Sequence, residues 1–347
     1  MANAKFNLSL PSNEPIKSYA PGTLERRDIK AKLKELKAQQ IEIPVIIGGK
    51  EIKTGNMGKC VLPHDHGTVV GTYHKAGEKE VQEAIAASLK AHRQWAEMDW
   101  QDRASIFLRA ADILAGPWRS LLNAASMLCQ SKNVFQAEVD AACEFIDFLR
   151  FNAFFAMKIY EQQPPISTAG TWNRLEYRPL EGFIFAPTPF NFTSIAGNLP
   201  SAPAIMGNVA LWKPASNATY PAYYLMKLFQ EAGVPDGVIN FIPGAGSEIG
   251  PIIMNSPDLA GIHFTGSTAT FQNMWQTVGN NIKNYKSYPR IVGETGGKDF
   301  VFVHKDTSVR ELGTALIRGA FEYQGQKCSA ASRAYIPSSL WIDLKDF

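Results

Sequence analysis

Three side chains in this sequence have the types and settings that carbonyl chemistry needs. Cys328 lies in GQKCSAAS, a polar, small-residue stretch beside Lys327 and just past a helical segment. A thiol there can be exposed, its thiolate favoured electrostatically, and it can act as a nucleophile. Taken alone, a cysteine more often packs as a small hydrophobe. Cys60, Cys129 and Cys143 lack such surroundings, and the last two fall in helical patterns that favour packing. Glu294 stands in RIVGETGGKDF, between two strand-like runs and just before Gly296 and Gly297. A carboxylate at a strand end beside glycines can approach a bound substrate closely, although a solvated turn glutamate is the plainer reading. Asn191, in APTPFNFTS, follows the apolar run Phe183–Ala186, and its amide could donate to a developing oxyanion. An Asn in a proline-rich loop is otherwise a turn residue.

Two glycine clusters compete for a phosphate-bearing ligand. Gly244-Ala-Gly246-Ser-Glu-Ile-Gly250 follows the run VINFIP and resembles a dinucleotide fingerprint. Its spacing departs from the standard pattern, and no acidic strand end stands out at the usual distance. HFTGSTATF reads as a strand running through a Gly-Ser turn into a helix, whose N-terminus and amides could meet a phosphate. The residues alone leave the two open.

The elements that must position these groups can be read from periodicity. Residues 24–40 form a charge-laced exposed helix, and IPVIIGGKEI a hairpin turning at Gly48-Gly49. Helical spacing runs from Lys79 to Met98, then through Arg103–Leu114 and Ala137–Phe155, so the first half is expected to be helix-rich. From Gly182 onward FIFA, VALW, VINFIP, GIHF and FVFV alternate with helical segments, the signature of an α/β fold with a parallel sheet covered on both faces. A helix over 308–323 starts at a Ser308/Glu311 capping pair and lays Val309, Leu312, Leu316, Ala320 and Tyr323 on one face. Gly325 ends it and leaves Lys327-Cys328-Ser329 on a loop.

The composition narrows the classes further. The chain has 347 residues, 45% hydrophobic, with a net charge of +3. That is enough to bury a large core in two or three domains, and no dense basic run points to nucleic acid. Four scattered cysteines, with no CxxC pair and no metal-ligand spacing, suit reduced thiols and no metal site. No membrane span, secretory signal or presequence is read, so a cytoplasmic protein is expected, or a mitochondrial-matrix one in a eukaryote.

Taken together, PTPFNF, WKP, FTGS, GETGGK and GQKCSA stand in one order, and in that order the chain resembles the aldehyde dehydrogenase superfamily from about Leu24 onward. Phe190-Asn191, Glu294-Thr295, Cys328-Ser329 and the stretch AEVDAACEFIDFLRFN narrow the resemblance to the branch acting on glutamate γ-semialdehyde. The resemblance implies NAD as cofactor, Cys328 as nucleophile, Glu294 as general base and Asn191 as oxyanion donor. It places phosphate binding at Gly266, Ser267 and the following Thr268, Ala269 and Thr270, and makes Gly244–Gly250 a connecting loop. Lys213 would bind the adenosine ribose and Thr188 would lie near the nicotinamide. Ser329 would hold the substrate carboxylate, Phe192 its aliphatic stem and Glu144 its amino group.

By the same resemblance, the domains would be a Rossmann-type NAD-binding domain over residues 1–158 and 180–293, the first part of an oligomerisation arm over 159–179, and the first part of a catalytic α/β domain over 294–347. Full-length members form homo-oligomers. Because Phe347 lies nineteen residues past Cys328, a C-terminally incomplete chain is expected. Two other readings are a dehydrogenase-like chain that binds NAD or partners without turnover, and a dehydrogenase for another short semialdehyde.

Overall fold

The computed structural model describes residues 7–346. Its contacts gather into two compact units, one formed by the residues up to Thr265 with Gln272–Gly293, the other by Gly266–Phe271 with the residues from Glu294 onward.

In the first unit an extended N-terminal segment leads into α1 (Leu24–Ala38), followed by β1 (Ile41–Ile43), β2 (Val45–Ile47), β3 (Lys50–Ile52), β4 (Met57–Leu62) and β5 (Asp65–His74). The hairpin β2–β3 turns where expected, with Gly48 and Gly49 at φ 54° and 76°. The expectation of a helix-rich first half missed β4 and β5, which pair antiparallel and, with β1, make a separate three-stranded sheet.

Helices α2 (Glu78–Glu97), α3 (Trp100–Ala115), α4 (Arg119–Gln130) and α5 (Val134–Ala137) come next. The single helix expected over Ala137–Phe155 is interrupted: residues Glu138–Glu144 form a π-helix before α6 (Phe145–Tyr160). Side chains account for the wide turn. Glu138 and Cys143, five residues apart, both contact the Arg119 guanidinium. Five-residue spacing shares a face when hydrogen bonds run i to i+5.

The second half alternates as the sequence implied: β6 (Phe183–Pro187), α7 (Thr193–Ile205), β7 (Val209–Lys213), α8 (Thr219–Ala232), β8 (Ile239–Phe241), α9 (Gly246–Met254), β9 (Leu259–Thr265), α10 (Thr268–Asn280) and β10 (Arg290–Glu294). The sheet order is β10-β9-β6-β7-β8-β2-β3. β6 runs parallel to both β7 and β9, β7 is parallel to β8, and β2 joins antiparallel. Every residue of β6 and the VALW run of β7 is buried, as strands covered on both faces must be. Strand order reverses at β6, and in such sheets ligands bind beyond the carboxyl ends of the strands at the reversal.

The core behind the sheet is aromatic. Phe229 of α8 meets Phe107 of α3, Phe145 of α6 and Trp212 of β7 edge-on at centroid distances of 6.1, 6.0 and 6.2 Å. Buried Arg103 secures the ends of α2 and α7, donating to the carbonyls of Trp95, Met98 and Ile205 and to the Tyr160 hydroxyl.

The second unit contains β11 (Phe300–Phe302), α11 (Val309–Phe321), β12 (Arg333–Tyr335) and α12 (Ser338–Lys345). β11 and β12 pair in parallel, and Leu312, Val303 and Leu344 form its small core.

Candidate active site

In the second unit, α11 begins as the sequence signals, the Ser308 hydroxyl accepting from the Glu311 amide at 3.5 Å. Its apolar face puts Leu312, in the first turn, in the small core, and Tyr323, two residues past the helix end, is buried. Gln324 and Gly325 then take left-handed φ values of 49° and 69°, and the chain leaves the helix as a loop bearing Lys327, Cys328 and Ser329.

That loop is held against the GETGGK segment. The Gly297 amide donates to the Cys328 carbonyl at 3.1 Å, and a Cβ on Gly297 would lie 2.3 Å from that oxygen. Only glycine permits so close an approach. The consequence is that the Cys328 thiol donates to Glu294 Oε1 at 3.4 Å. Thiol and carboxylate, 34 residues apart in sequence, thus form one pair.

The electrostatics of this pair differ from expectation. Cys328 is half-buried rather than exposed, and Lys327 gives its ammonium to Glu322. Burial, and then the Glu294 carboxylate, push the Cys328 thiol above its ordinary range. A thiolate would form once its proton leaves, and Glu294 is the acceptor in reach. Ser329 follows on the same loop and is exposed.

The Gly-Ser turn belongs to this unit as well. The Gly266 amide donates to the Glu294 carbonyl at 3.1 Å. The Ser267 hydroxyl accepts from the Thr270 amide at 3.2 Å and meets the Thr270 hydroxyl at 2.7 Å. Ser267 thereby caps α10, leaving a first turn of Thr268, Ala269 and Thr270 whose amides lie at a helix N-terminus. The competing cluster Gly244–Gly250 is not simply a connecting loop: α9 starts at Gly246, and Gly244 lies against Ile249 and the Ala76 carbonyl.

In the first unit, Thr188, Asn191 and Phe192 occupy the segment between β6 and α7. The Thr188 amide donates to the Lys213 carbonyl at 3.0 Å, and its hydroxyl accepts from the Trp212 indole at 3.1 Å. Lys213, at the carboxyl end of β7, donates to the Pro214 carbonyl at 3.0 Å, and burial pushes its ammonium down to about 8. Asn191 is buried, and its carbonyl accepts from Lys132 Nζ at 2.6 Å.

Lys132 and Asp140 are residues that the sequence alone did not bring forward. They form a buried ion pair. Asp140 also accepts from the amides of Thr193 and Ser194, both at 3.0 Å, and so caps α7 from the π-helix. The Lys132 ammonium lies 5.0 Å from the centre of the Phe192 ring. Glu144, at the far end of the π-helix, lies 3.0 Å from the Ser194 hydroxyl, whose proton the nearer Asp140 carboxylate accepts at 2.7 Å. Among the described residues no cluster of His, Cys, Asp or Glu could hold a metal ion, and no helix is long and apolar enough to cross a membrane.

A thiol paired with a carboxylate, beside a helix-capping Gly-Ser turn and following a parallel α/β sheet, defines a class that the sequence comparison shares: residues 52–346 match the aldehyde dehydrogenase family, and the chain belongs to it. Within that family it is similar to Δ1-pyrroline-5-carboxylate dehydrogenases. It is 51% identical over 97% of its length to the one from Agaricus bisporus and 44% identical over 96% to the mitochondrial one from Homo sapiens. It covers 62% and 59% of those two proteins, so the chain spans about three-fifths of the length of the curated relatives it matches. The crystal structure of the Mycobacterium tuberculosis Δ-pyrroline-5-carboxylate dehydrogenase bound with NAD superposes with a TM-score of 0.96 at 52% identity. That match takes in 99% of this chain and 64% of the other.

Proposed function

We propose that this chain carries the NAD-binding and nucleophile-bearing parts of an NAD-dependent L-glutamate γ-semialdehyde dehydrogenase, the enzyme that oxidises the open form of Δ1-pyrroline-5-carboxylate to L-glutamate. The observation that carries the reading is the Cys328–Glu294 pair, in a chain half identical to pyrroline-5-carboxylate dehydrogenases.

The residues present suit the cofactor. A lysine ammonium at the carboxyl end of β7 and a serine-capped helix N-terminus supply hydroxyl- and phosphate-binding donors. Lys213 would hold the adenosine ribose, the α10 turn from Gly266 to Thr270 the pyrophosphate, and Thr188 would lie by the nicotinamide. NAD, when bound, supplies the hydride acceptor.

In this reading Glu294 takes the thiol proton and the Cys328 sulfur forms a bond to the aldehyde carbon. The carbonyl π pair moves onto oxygen, where the Asn191 amide donates to it. One such donor is worth about 3–4 kcal/mol of barrier. Once the substrate carbon is oxidised to the thioester and Glu294 has released the thiol proton to solvent, its carboxylate deprotonates a water that attacks that carbon. The C–S bond breaks and the thiol is restored with release of the carboxylate. Ser329, Phe192 and Glu144 are assigned the substrate's carboxylate, stem and amino group. Residues 159–179 are assigned to the oligomerisation arm of a homo-oligomer, a role suited to Ile166 and Trp172, which are 80% and 83% exposed. The domain limits 1–158 with 180–293, and 294–347, follow the same reading.

The test is NADH formation with pyrroline-5-carboxylate against succinic semialdehyde. A strong preference for the first supports the assignment. A preference for the second transfers the chemistry to another short semialdehyde, and NAD binding with no NADH from either makes the 347-residue chain a binding module.

A further inference from the structure

Residues 190–194 have no strand to hold them before α7 begins, yet their backbone is bonded on both sides of Asn191 by buried side chains. The Phe190 carbonyl accepts from Gln130 Nε2 at 2.8 Å and the Asn191 carbonyl from Lys132 Nζ at 2.6 Å. The Thr193 and Ser194 amides donate to the two oxygens of Asp140, both at 3.0 Å, and the Ser194 hydroxyl donates to Asp140 at 2.7 Å. Lys132 and Asp140 are paired to each other, and each is only 3–4% exposed.

A buried ion pair adds little net stability, because desolvation consumes most of its attraction. A charged clamp at this point is therefore better explained by the geometry it imposes than by the energy it contributes. With the carbonyl of Asn191 and the amides two and three residues on all engaged, the backbone from which the Asn191 side chain projects is set before any ligand arrives. Preorganisation of that kind is what a donor aimed at developing charge requires.

We propose that Lys132 and Asp140 are positioning residues: together they hold the backbone of 190–194 so that the Asn191 amide is aimed in advance. The catalytic consequence rests on the oxyanion role proposed for Asn191. The positioning itself does not.

Hydrogen exchange on the chain as it stands tests the positioning directly. In Lys132→Met and in the milder Asp140→Asn, the Thr193 and Ser194 amides should exchange about 10-fold faster or more, while Phe185 and Leu211 in the central strands keep their protection. Unchanged exchange at 193 and 194 in both variants overturns the proposal. So does a rise in both variants that is equal across the segment and the central strands, which would mark a general stability role.

The second arm is a double-mutant cycle on the NADH burst. Lys132→Met should lose up to about 100-fold in burst rate with little change in KM for NAD, and should add nothing to the loss caused by Asn191→Ala. Fully additive losses overturn the catalytic consequence. If Asn191→Ala alone keeps the wild-type rate, it is the oxyanion assignment that fails, and exchange still decides the positioning.

Discussion

The Cys328 thiol donates to Glu294 at 3.4 Å, so the group proposed as nucleophile faces a carboxylate that resists its ionisation. Burial and Glu294 both raise the thiol's pKa, and the thiolate is therefore populated only toward alkaline pH. Removing the Glu294 charge leaves burial alone. In Glu294→Gln the midpoint for alkylation by iodoacetamide should move to lower pH than in the wild type. A midpoint that stays put would show that the two groups do not communicate.

The two residues should also fail differently in turnover. Cys328→Ala should abolish NADH formation from pyrroline-5-carboxylate altogether. Glu294→Gln should still give a burst of about one NADH per chain, because the Cys328 proton, no longer held against a carboxylate, can leave to solvent, followed by steady turnover slowed about 100- to 10,000-fold by the loss of water activation. Rapid-mixing absorbance at the NADH band separates the phases. A full steady rate in Glu294→Gln would remove the general-base role.

Lys213 predicts a pH dependence of cofactor binding. Burial depresses its pKa to about 8, so the ammonium is present below that pH and lost as pH rises through it. NAD affinity should weaken across this range. Lys213→Met should bind about 10-fold more weakly at pH 7, as expected for a lost charged hydrogen bond, and show no inflection near pH 8. Calorimetric titration at several pH values would decide it.

Arg119 predicts a large stability loss far from the reacting groups. Its guanidinium is buried between Glu138 and Glu14, and Glu138 also accepts from the Tyr19 hydroxyl and the Lys17 amide, binding the N-terminal segment to the π-helix. Arg119→Met leaves the Glu138 charge buried without its main partner, which costs about 3–5 kcal/mol and a Tm lower by roughly 4–7 °C. Burial opposes ionisation of Glu138, but Arg119, the Lys17 amide and Tyr19 outweigh it and hold the carboxyl below 4.5. Its contribution is present above that value and lost as pH falls through the depressed pKa. Glu138→Gln should therefore flatten the acid limb of the stability curve, which urea titrations between pH 3 and 6 would show.

How much of this was legible in the sequence depends on where the information lies. The parallel sheet was, because β6 and β7 are buried on both faces and so read as unbroken apolar runs. So was the end of α11, where Gly325 supplies the left-handed turn before Cys328. A helix between β6 and β7 was implied by the alternation alone; the residues of α7 do not argue for it, since it contains Pro200 and Pro203 and holds Gly197 against the Phe145 ring, a helix enforced by packing rather than by propensity. The Lys132–Asp140 pair was invisible for a related reason. Lys132 has no motif, Asp140 stands only inside the longer stretch AEVDAACEFIDFLRFN, and their partnership with Asn191 exists only once α7 and the π-helix are packed. The raised thiol pKa likewise reverses a local reading, because the adjacent Lys327 is taken up by Glu322 and the distant Glu294 is brought close.

The π-helix also places a constraint on the length of the chain. Its wide turn is equivalent to a helix carrying one surplus residue, and the surplus sits between the carboxylates that hold the N-terminal segment and α7 and the aromatic face of α6. Deleting any one residue from Glu138–Glu144 would let the segment close into an ordinary α-helix, with α6 still in register but the i to i+5 face lost. Glu138 and Cys143 could not then both meet Arg119. The anchorage of the N-terminal segment thus depends on the residue count of this stretch as well as on its side chains.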